Sequence, residues 1–530
     1  MIQRHRYVNS EDFSRSHGMA ISIQAICLCL LMVGTGAARA QTQNTTTNYA
    51  YDAQGNLTTI TNPNGQVTIQ AFDALNRKVQ VTQSVPAAGG TAPVIATSYD
   101  GRDQIVSVTD PRNLTTSYQV DGLGNLLTLT SPDAGATIKT YDVAGNLLTS
   151  KDARGKTTTF TYDVLNRVTS ISYPTGTATT LQYDGGSAPL ANDIGHLTLI
   201  ADESGSTRYQ YDGYGHVVQK TQVSGSGANA LSQVVQYVYG TSGATNGKLT
   251  STVYPTGMSV GYTYDSAGRV AIMTVTPSGG TATNLLTAIT YTAFGAPNGW
   301  TWGNGTPYTR TFDLDGRLTS YPLGATSGTL PTPNALTRTI DYDPASRINA
   351  YAHADATGNN ASPIAISANQ NFYYDNLDRL TNFYPAGVDQ GFTYDNTGNR
   401  TSLMVGTTLF TNAISASSNQ LTGNNGPIAP KTNLYDAAGN LISDGTVTYG
   451  YSDRGRMASA TVGSNSYGYL YNGLGQRVVK TGPTAQIVTG SIRYAYDEAG
   501  HLLGEYDGSG NPIQQTIYLG DTPVVVLRAQ

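Results

Sequence analysis

Along most of the chain, aromatic and aliphatic residues alternate with hydroxyl and amide residues at a period of two. Phe160 and Tyr162 flank Thr161, Tyr209 and Tyr211 flank Gln210, and Tyr262 and Tyr264 flank Thr263. Phe392/Tyr394, Tyr467/Tyr469/Tyr471 and Tyr494/Tyr496 repeat the pattern. A period of two puts the rings on one face of a strand and the small polar side chains on the other. No useful length of chain beyond the N-terminal region carries a helical period. The pattern predicts strands of about six to eight residues, each bounded by turn signals.

The turn signals repeat. "YDAQGNL" begins at Tyr51, "FDALNRK" at Phe72, "YDGRDQI" at Tyr99, "VDGLGNL" at Val120, "YDVAGNL" at Tyr141, "YDVLNRV" at Tyr162 and "YDGGSAP" at Tyr183. Most steps between them are 21 residues. The unit returns with looser spacing at Tyr211, Tyr264, Phe312, Tyr342, Tyr374, Tyr394, Tyr435, Tyr451, Tyr471 and Tyr496. Insertions around 324–337, 352–371 and 404–433 interrupt it. In each unit the Asp is expected to bond the backbone two residues on, and the Gly to take positive φ. The pairs Tyr51/Asp52, Tyr141/Asp142, Tyr162/Asp163, Tyr211/Asp212, Tyr264/Asp265, Tyr394/Asp395, Tyr435/Asp436 and Tyr496/Asp497, with Gly55 and Gly145, define the repeat. A second turn follows about halfway through the unit, as in "NPNG" (Asn62–Gly65) and "YPTG" (Tyr173–Gly176 and Tyr254–Gly257). Strand, turn, strand and turn in series make an all-β antiparallel meander, with Tyr rings as cross-strand neighbours.

Composition supports strands over helices. Charged residues are 12% of the chain, about half the usual share, and 36 Tyr outnumber 9 Phe and 2 Trp. Arg4, Arg6 and Arg15 precede the apolar run Ala20–Ala37 and the site Ala38-Arg39-Ala40. This reads as a signal peptide over 1–40, cut before Gln41, on a product starting at Met1 or Met19. A polar linker over 41–50 and one repeat array over 51–530 complete the expected organisation. Both cysteines, Cys27 and Cys29, fall in the signal, so the mature chain would have no disulfide, thiolate site or cysteine nucleophile. It would keep 26 basic and 33 acidic side chains, a net charge of −7. That balance gives no electrostatic reason to bind nucleic acid. No later segment reaches the ~18 apolar residues of a membrane-spanning helix.

Candidate chemistry is sparse. Gly155-Lys156-Thr157 resembles the end of a phosphate loop, but position 150 is Ser and a strand pattern follows. Lys156 is expected on a hairpin tip. His196, His216 and His501 occupy the slot held elsewhere by Asn or Arg, and His353 stands alone in an insertion. Calcium needs ~6–8 converging oxygens; "DLDGR" (Asp313–Arg317) is the densest acidic cluster and supplies too few. No pair of carboxylates is singled out for glycoside hydrolysis. Trp300, Trp302 and Tyr308, with Tyr321, fall where the repeat is irregular. They are read as packing at a bend, with a ligand-stacking patch as the alternative.

The recurring YD-x-x-G-[Asn/Arg] unit resembles the RHS-repeat or YD-repeat family, whose repeats are shared by the teneurins. "YDEAGHLLGEYDGSGNPIQQTIYLGDTPVVVL" (Tyr496–Leu527) is similar to the segment that leads into the end of an RHS core. The resemblance implies a β-sheet that spirals into a hollow, shell-like body. In bacterial members such a shell encloses a C-terminal toxin freed by self-cleavage near an Asp-Pro motif. Here "TDPRN" (Thr109–Asn113) and "YDPAS" (Tyr342–Ser346) lie in mid-array turns, and no cleavage residue carries over. The expectation is an exported, non-enzymatic scaffold without cofactor or metal, enclosing a polypeptide or presenting a surface to cell-surface glycans. A truncated or split carrier of a toxin is the alternative, and an exported glycan-active enzyme a weaker one.

Overall fold

The computed structural model describes residues 45–87, 89–323, 336–355, 357–385, 387–427 and 429–529. The expected signal peptide and both cysteines lie outside them. Among the described residues, forty-four strands run from Asn48–Tyr51 to Thr522–Arg528, with short helical turns at Gly227–Asn229, Gly243–Thr245 and Pro363–Ile366. The first strand starts at Asn48, inside the stretch expected to be linker. Among the described residues no helix is long and apolar enough to cross a membrane.

Pairing is antiparallel and sequential: each strand bonds the one before and the one after. The ladder divides into three sheets, at Arg310 and Asn433. At the first division Pro307–Thr309 bonds back to Pro297–Trp302, while Thr311–Phe312 bonds forward to Leu318–Pro322. One extended segment thus serves both sheets, offset along its length. Lys431–Thr432 and Leu434–Tyr435 do the same at the second.

No strand residue between Asn48 and Ser172 is buried. This part is one layer with two accessible faces. In Thr157–Tyr162, Phe160 and Tyr162 are half-buried, and Thr159 and Thr161 are exposed. The hydroxyl face carries cross-strand pairs, such as Thr140–Thr149 at 2.6 Å and Thr161–Thr169 at 3.0 Å. A packed core forms only further along, where Val235, Tyr237, Val260, Met273, Leu286 and Trp300 meet Leu503, Ile517 and Leu519.

Two local features shape the wall. Each YD hairpin carries a β-bulge at its Tyr: Thr161 faces Ser170, Tyr162 faces Val168, and Thr169 is the extra residue. The same shift occurs at Tyr51, Tyr99, Tyr211, Tyr264, Tyr394, Tyr435 and Tyr496. Bulges bend a strand and increase its twist. Between units, pairing stops short of the YD edge. Leu147–Lys151 pairs with Thr157–Tyr162 only from Thr149↔Thr159 to Lys151↔Thr157. The strands splay beyond that, and the Tyr162 ring crosses the gap, its hydroxyl donating to the Leu147 carbonyl at 2.9 Å.

This wedge recurs along the chain. Tyr141 donates to Leu126 at 3.0 Å, Tyr211 to Leu197 at 2.7 Å, Tyr264 to Leu249 at 2.5 Å, and Tyr394 to Leu380 at 2.8 Å. Tyr435 donates to Leu421 at 2.8 Å and Tyr496 to Arg477 at 2.9 Å. In each case the acceptor is the first residue of the second strand of the preceding hairpin. A carbonyl left off the ladder needs a donor, and Phe has none. That accounts for Tyr in place of Phe at these positions.

Tyr162→Phe is therefore expected to lower the unfolding free energy by about 1 kcal/mol in a denaturant titration. Phe160→Tyr, on the same face without an assigned acceptor, is expected to leave it nearly unchanged.

Candidate functional site

The YD turns are built around one carboxylate. Asp142 Oδ1 accepts from the backbone N–H groups of Ala144 (2.9 Å) and Asn146 (2.8 Å), and its Oδ2 from Asn146 Nδ2 (2.9 Å). Asp163 does the same with Leu165, Arg167 and the Arg167 Nε at 2.6 Å. These bonds stabilise the charged form and hold both carboxyls below the usual value; Asn146 is the larger influence on Asp142 and the Arg167 backbone on Asp163. Asp52, Asp212, Asp265, Asp395, Asp436 and Asp497 accept from the residue four positions on in the same way. Gly145 has φ +82°, and a Cβ there would make only an ordinary contact with Asn125 Oδ1 at 3.9 Å, so backbone conformation, more than crowding, selects glycine. Asn76 and Asn166 fill the same slot at φ 61° and 59°.

The residue four positions after the Asp has a second task. Arg167 stacks over Tyr183 at 4.3 Å, Arg269 over Tyr291 at 4.9 Å and Arg379 over Tyr394 at 4.9 Å. His216 stacks on Tyr239 at 4.4 Å and His501 on Tyr518 at 4.7 Å. Asn146 instead donates to Asn166 Oδ1 at 2.8 Å. This position ties each unit to the next, so these histidines are structural. His353 is paired: it lies in the strand Ile348–Ala354, 2% exposed, between Asn369 and Arg338. The Arg338 Nε donates to its Nε2 at 3.1 Å, which requires a neutral ring, and burial lowers its pKa.

The aromatic trio comes together. Trp300 stacks on Tyr308 at 4.4 Å, and Trp302 stands edge-on to Trp300 at 5.6 Å. Arg310, at the first division of the ladder, lies 5.0 Å over Trp300. Trp300 is only 4% exposed and belongs to the core, so any accessible stacking surface belongs to Trp302 and Tyr308. Among the described residues no three His, Cys, Asp or Glu side chains converge as a metal site would require.

The densest polar network lies between segments far apart in sequence. Arg112 donates to the carbonyls of Ser418 (2.8 Å) and Ser415 (2.6 Å) and to Asn419 Oδ1 (2.9 Å). Asn419 donates its Nδ2 to Asp110 Oδ2 at 2.9 Å and its backbone N–H to Asp133 Oδ1 at 2.6 Å. Arg154 reaches the Ser452 carbonyl, Lys156 pairs with Asp453 at 3.0 Å, and Thr175 donates twice to Asp453 Oδ2 at 2.7 Å. Further on, Gly473 N donates to Asp202, and buried Lys220 donates to the Tyr496 and Asp497 carbonyls. Burial pushes the Lys220 ammonium down and the Glu498 carboxyl, 3.8 Å away, up.

These contacts join residues 271 to 309 apart in sequence. On one side most are second turns of the early units; on the other most are YD turns of the later units. The wall therefore coils, returning on itself after somewhat under 300 residues, and the described chain completes one turn and most of a second. Lys156 has a partner after all. Its place in the "GKT" triplet is a seam contact, which its hairpin-tip position alone did not reveal.

Burial pushes the Asp453 carboxyl up, but the bonds from Thr175 and Lys156 outweigh it and hold it below the usual value. A depressed folded pKa contributes stability at neutral pH that is lost as pH falls through it. Asp453→Ala is expected to cost about 2 kcal/mol at pH 7, with the gap to wild type closing below about pH 4. Asp315→Ala, removing an exposed carboxylate, is the control; melting at both pH values gives the comparison.

Comparison with known proteins agrees with this architecture. The family model described as RHS Repeat matches residues 43–91, 99–136, 141–178, 192–226 and 245–281. No curated protein matches the sequence. Among solved structures, the crystal structure of TcdB2-TccC3 aligns at TM-score 0.67 and 16% identity, over 91% of this chain and 31% of that one. TcdB2-TccC3 without its hypervariable C-terminal region gives 0.67 and 16%, over 91% and 30%. The Tc holotoxin pore of Photorhabdus luminescens gives the same values. The chain thus spans about a third of the length of these structures, and the likeness is one of fold. A YD period in sequence, matches to the repeat model and a coiled one-layer wall of paired hairpins converge on one conclusion: the chain is an RHS-repeat, or YD-repeat, protein.

Proposed function

We propose that this chain forms part of the wall of a hollow, non-enzymatic carrier that is exported and encloses a polypeptide. The observation that carries the reading is the one-layer wall between Asn48 and Ser172, coiled and fastened turn to turn. A single sheet of that length with both faces accessible has no packing partner of its own, and coiling gives it an inside. The Tc structures, about three times longer, share the fold, which supports a body of this kind assembled from more wall than this chain supplies.

The free edge supports an assembly as well. In the second turn of the coil the YD tips dock against the first turn. In the first turn the same kind of tip is uncovered and apolar: Leu75, Leu123, Val143, Val164, Tyr214 and Phe294 are all exposed. Such a row invites a covering partner. It favours the split-carrier form, with further wall supplied by another segment or chain. Contact with cell-surface glycans through the hydroxyl-rich face is the second reading. Trp302 and Tyr308 are its best-placed rings, and the burial of Trp300 weakens it.

Protease treatment of the protein expressed from its native locus, followed by peptide mapping, tests enclosure. Peptides of any polypeptide that co-purifies with the chain are expected to survive until the wall is unfolded. Their complete digestion while the wall stays folded would contradict enclosure and favour the surface-contact reading.

A further inference from the structure

A cavity of about 280 Å³ lies where the last hairpins pack on strands 231–270. Its lining includes the rings of Tyr237, Tyr254, Tyr262, Tyr264 and Tyr518. The hydroxyls are largely committed elsewhere: Tyr254 to the Thr516 carbonyl at 2.8 Å, Tyr264 to Leu249 at 2.5 Å, Tyr518 to Leu502 at 3.2 Å and Tyr237 to Glu498 at 3.3 Å. Tyr237 and Tyr254 are 8% and 3% exposed, so the cavity presents mainly the half-buried rings of Tyr262, Tyr264 and Tyr518, more than free hydroxyl groups. The rings come from both the early wall and the end of the chain, so the cavity exists only because the wall coils.

Among the lining residues the formal charges are carboxylates, while the Lys248 ammonium lies 4.9 Å over the Tyr264 ring from outside the lining. Asp497 and Asp521 line it, with His501 between them, its Nδ1 2.8 Å from Asp497 and its Nε2 3.3 Å from Asp521. No lysine or arginine is among the described lining residues. Burial is the main cause that raises the hydroxyl pKa of Tyr237, Tyr254, Tyr262 and Tyr518, and the Asp497 carboxylate adds to it in each. The Asp497 carboxylate is thus close enough to act on these rings. Aromatic faces together with a nearby carboxylate attract an organic cation, because the ring quadrupole and the fixed charge act in the same direction. A sugar would find carboxylate acceptors here but few free donors, since these tyrosine hydroxyls are committed.

We propose that this cavity binds a small alkylammonium cation, with the tyrosine rings around the methyl or methylene groups and Asp497 and Asp521 balancing the charge. The site stands independently of whether the wall encloses a polypeptide.

Titration calorimetry of the full chain with choline, set against its uncharged tert-butyl analogue, tests the proposal. Choline is expected to bind at one saturable site, and the analogue is not. Tyr262→Leu removes a ring whose hydroxyl has only a 3.5 Å contact with Thr252, and is expected to weaken binding roughly tenfold. Asp521→Asn, at a side chain 96% exposed that folding does not require, is expected to weaken it roughly two- to fivefold. Absence of choline binding would overturn the proposal. Equal binding of the uncharged analogue, or unchanged choline affinity in Asp521→Asn, would equally overturn the charge-based assignment.

Discussion

The wall depends on a tyrosine hydroxyl that meets a backbone carbonyl left without a ladder partner. Where Leu147–Lys151 and Thr157–Tyr162 part company, Tyr162 fills the gap and satisfies Leu147. The bulge at the same residue bends the strand. Splaying on one edge, repeated unit after unit, is a geometric bias in one direction, and a sheet with such a bias coils. A phenylalanine would fill the same gap but leave the carbonyl unsatisfied. Each wedge is a small interaction; its repetition along the array gives the wall its form.

Coiling brings a second set of interactions into being. Turn-to-turn contacts use arginine and lysine from early second turns and carbonyls, aspartates and asparagines from later turns, as with Arg112 against Ser415, Ser418 and Asn419. Guanidinium groups suit this task, since one planar fork reaches several acceptors at once. The layer has little core over its first strands, so these seams carry tertiary stability there. The packed core around Val235, Met273 and Ile517 takes over where the chain end covers the wall.

Much of this is legible in the sequence because it is local. The period of two, the spacing of Tyr141 and Tyr162, and the Asp–Gly turns are properties of a few neighbouring residues. The slot shared by Asn, Arg and His was visible too, although its stacking on the next tyrosine was not. The preference for Tyr over Phe was countable, but its reason was hidden, because the acceptor is created by a register shift that no residue type announces. Lys156 and Asp453 are 297 residues apart in sequence, and no local pattern connects them. Likewise, Trp300 looked like a candidate for ligand stacking or packing, and only the return of the chain end shows it enclosed. His353 seemed isolated because its partners, Arg338 and Asn369, come from flanking strand and loop positions.

The coil itself is the central claim, and a cross-link across the seam tests it most directly. With Cys27 and Cys29 replaced by serine, the double variant Thr175→Cys, Asp453→Cys places thiols at positions that touch only if the wall returns on itself. Mild oxidation of dilute protein should give an intramolecular disulfide, seen as a reducible shift in gel mobility without dimer. A folded protein that stays fully reduced, or links only between molecules, would contradict the coiled wall.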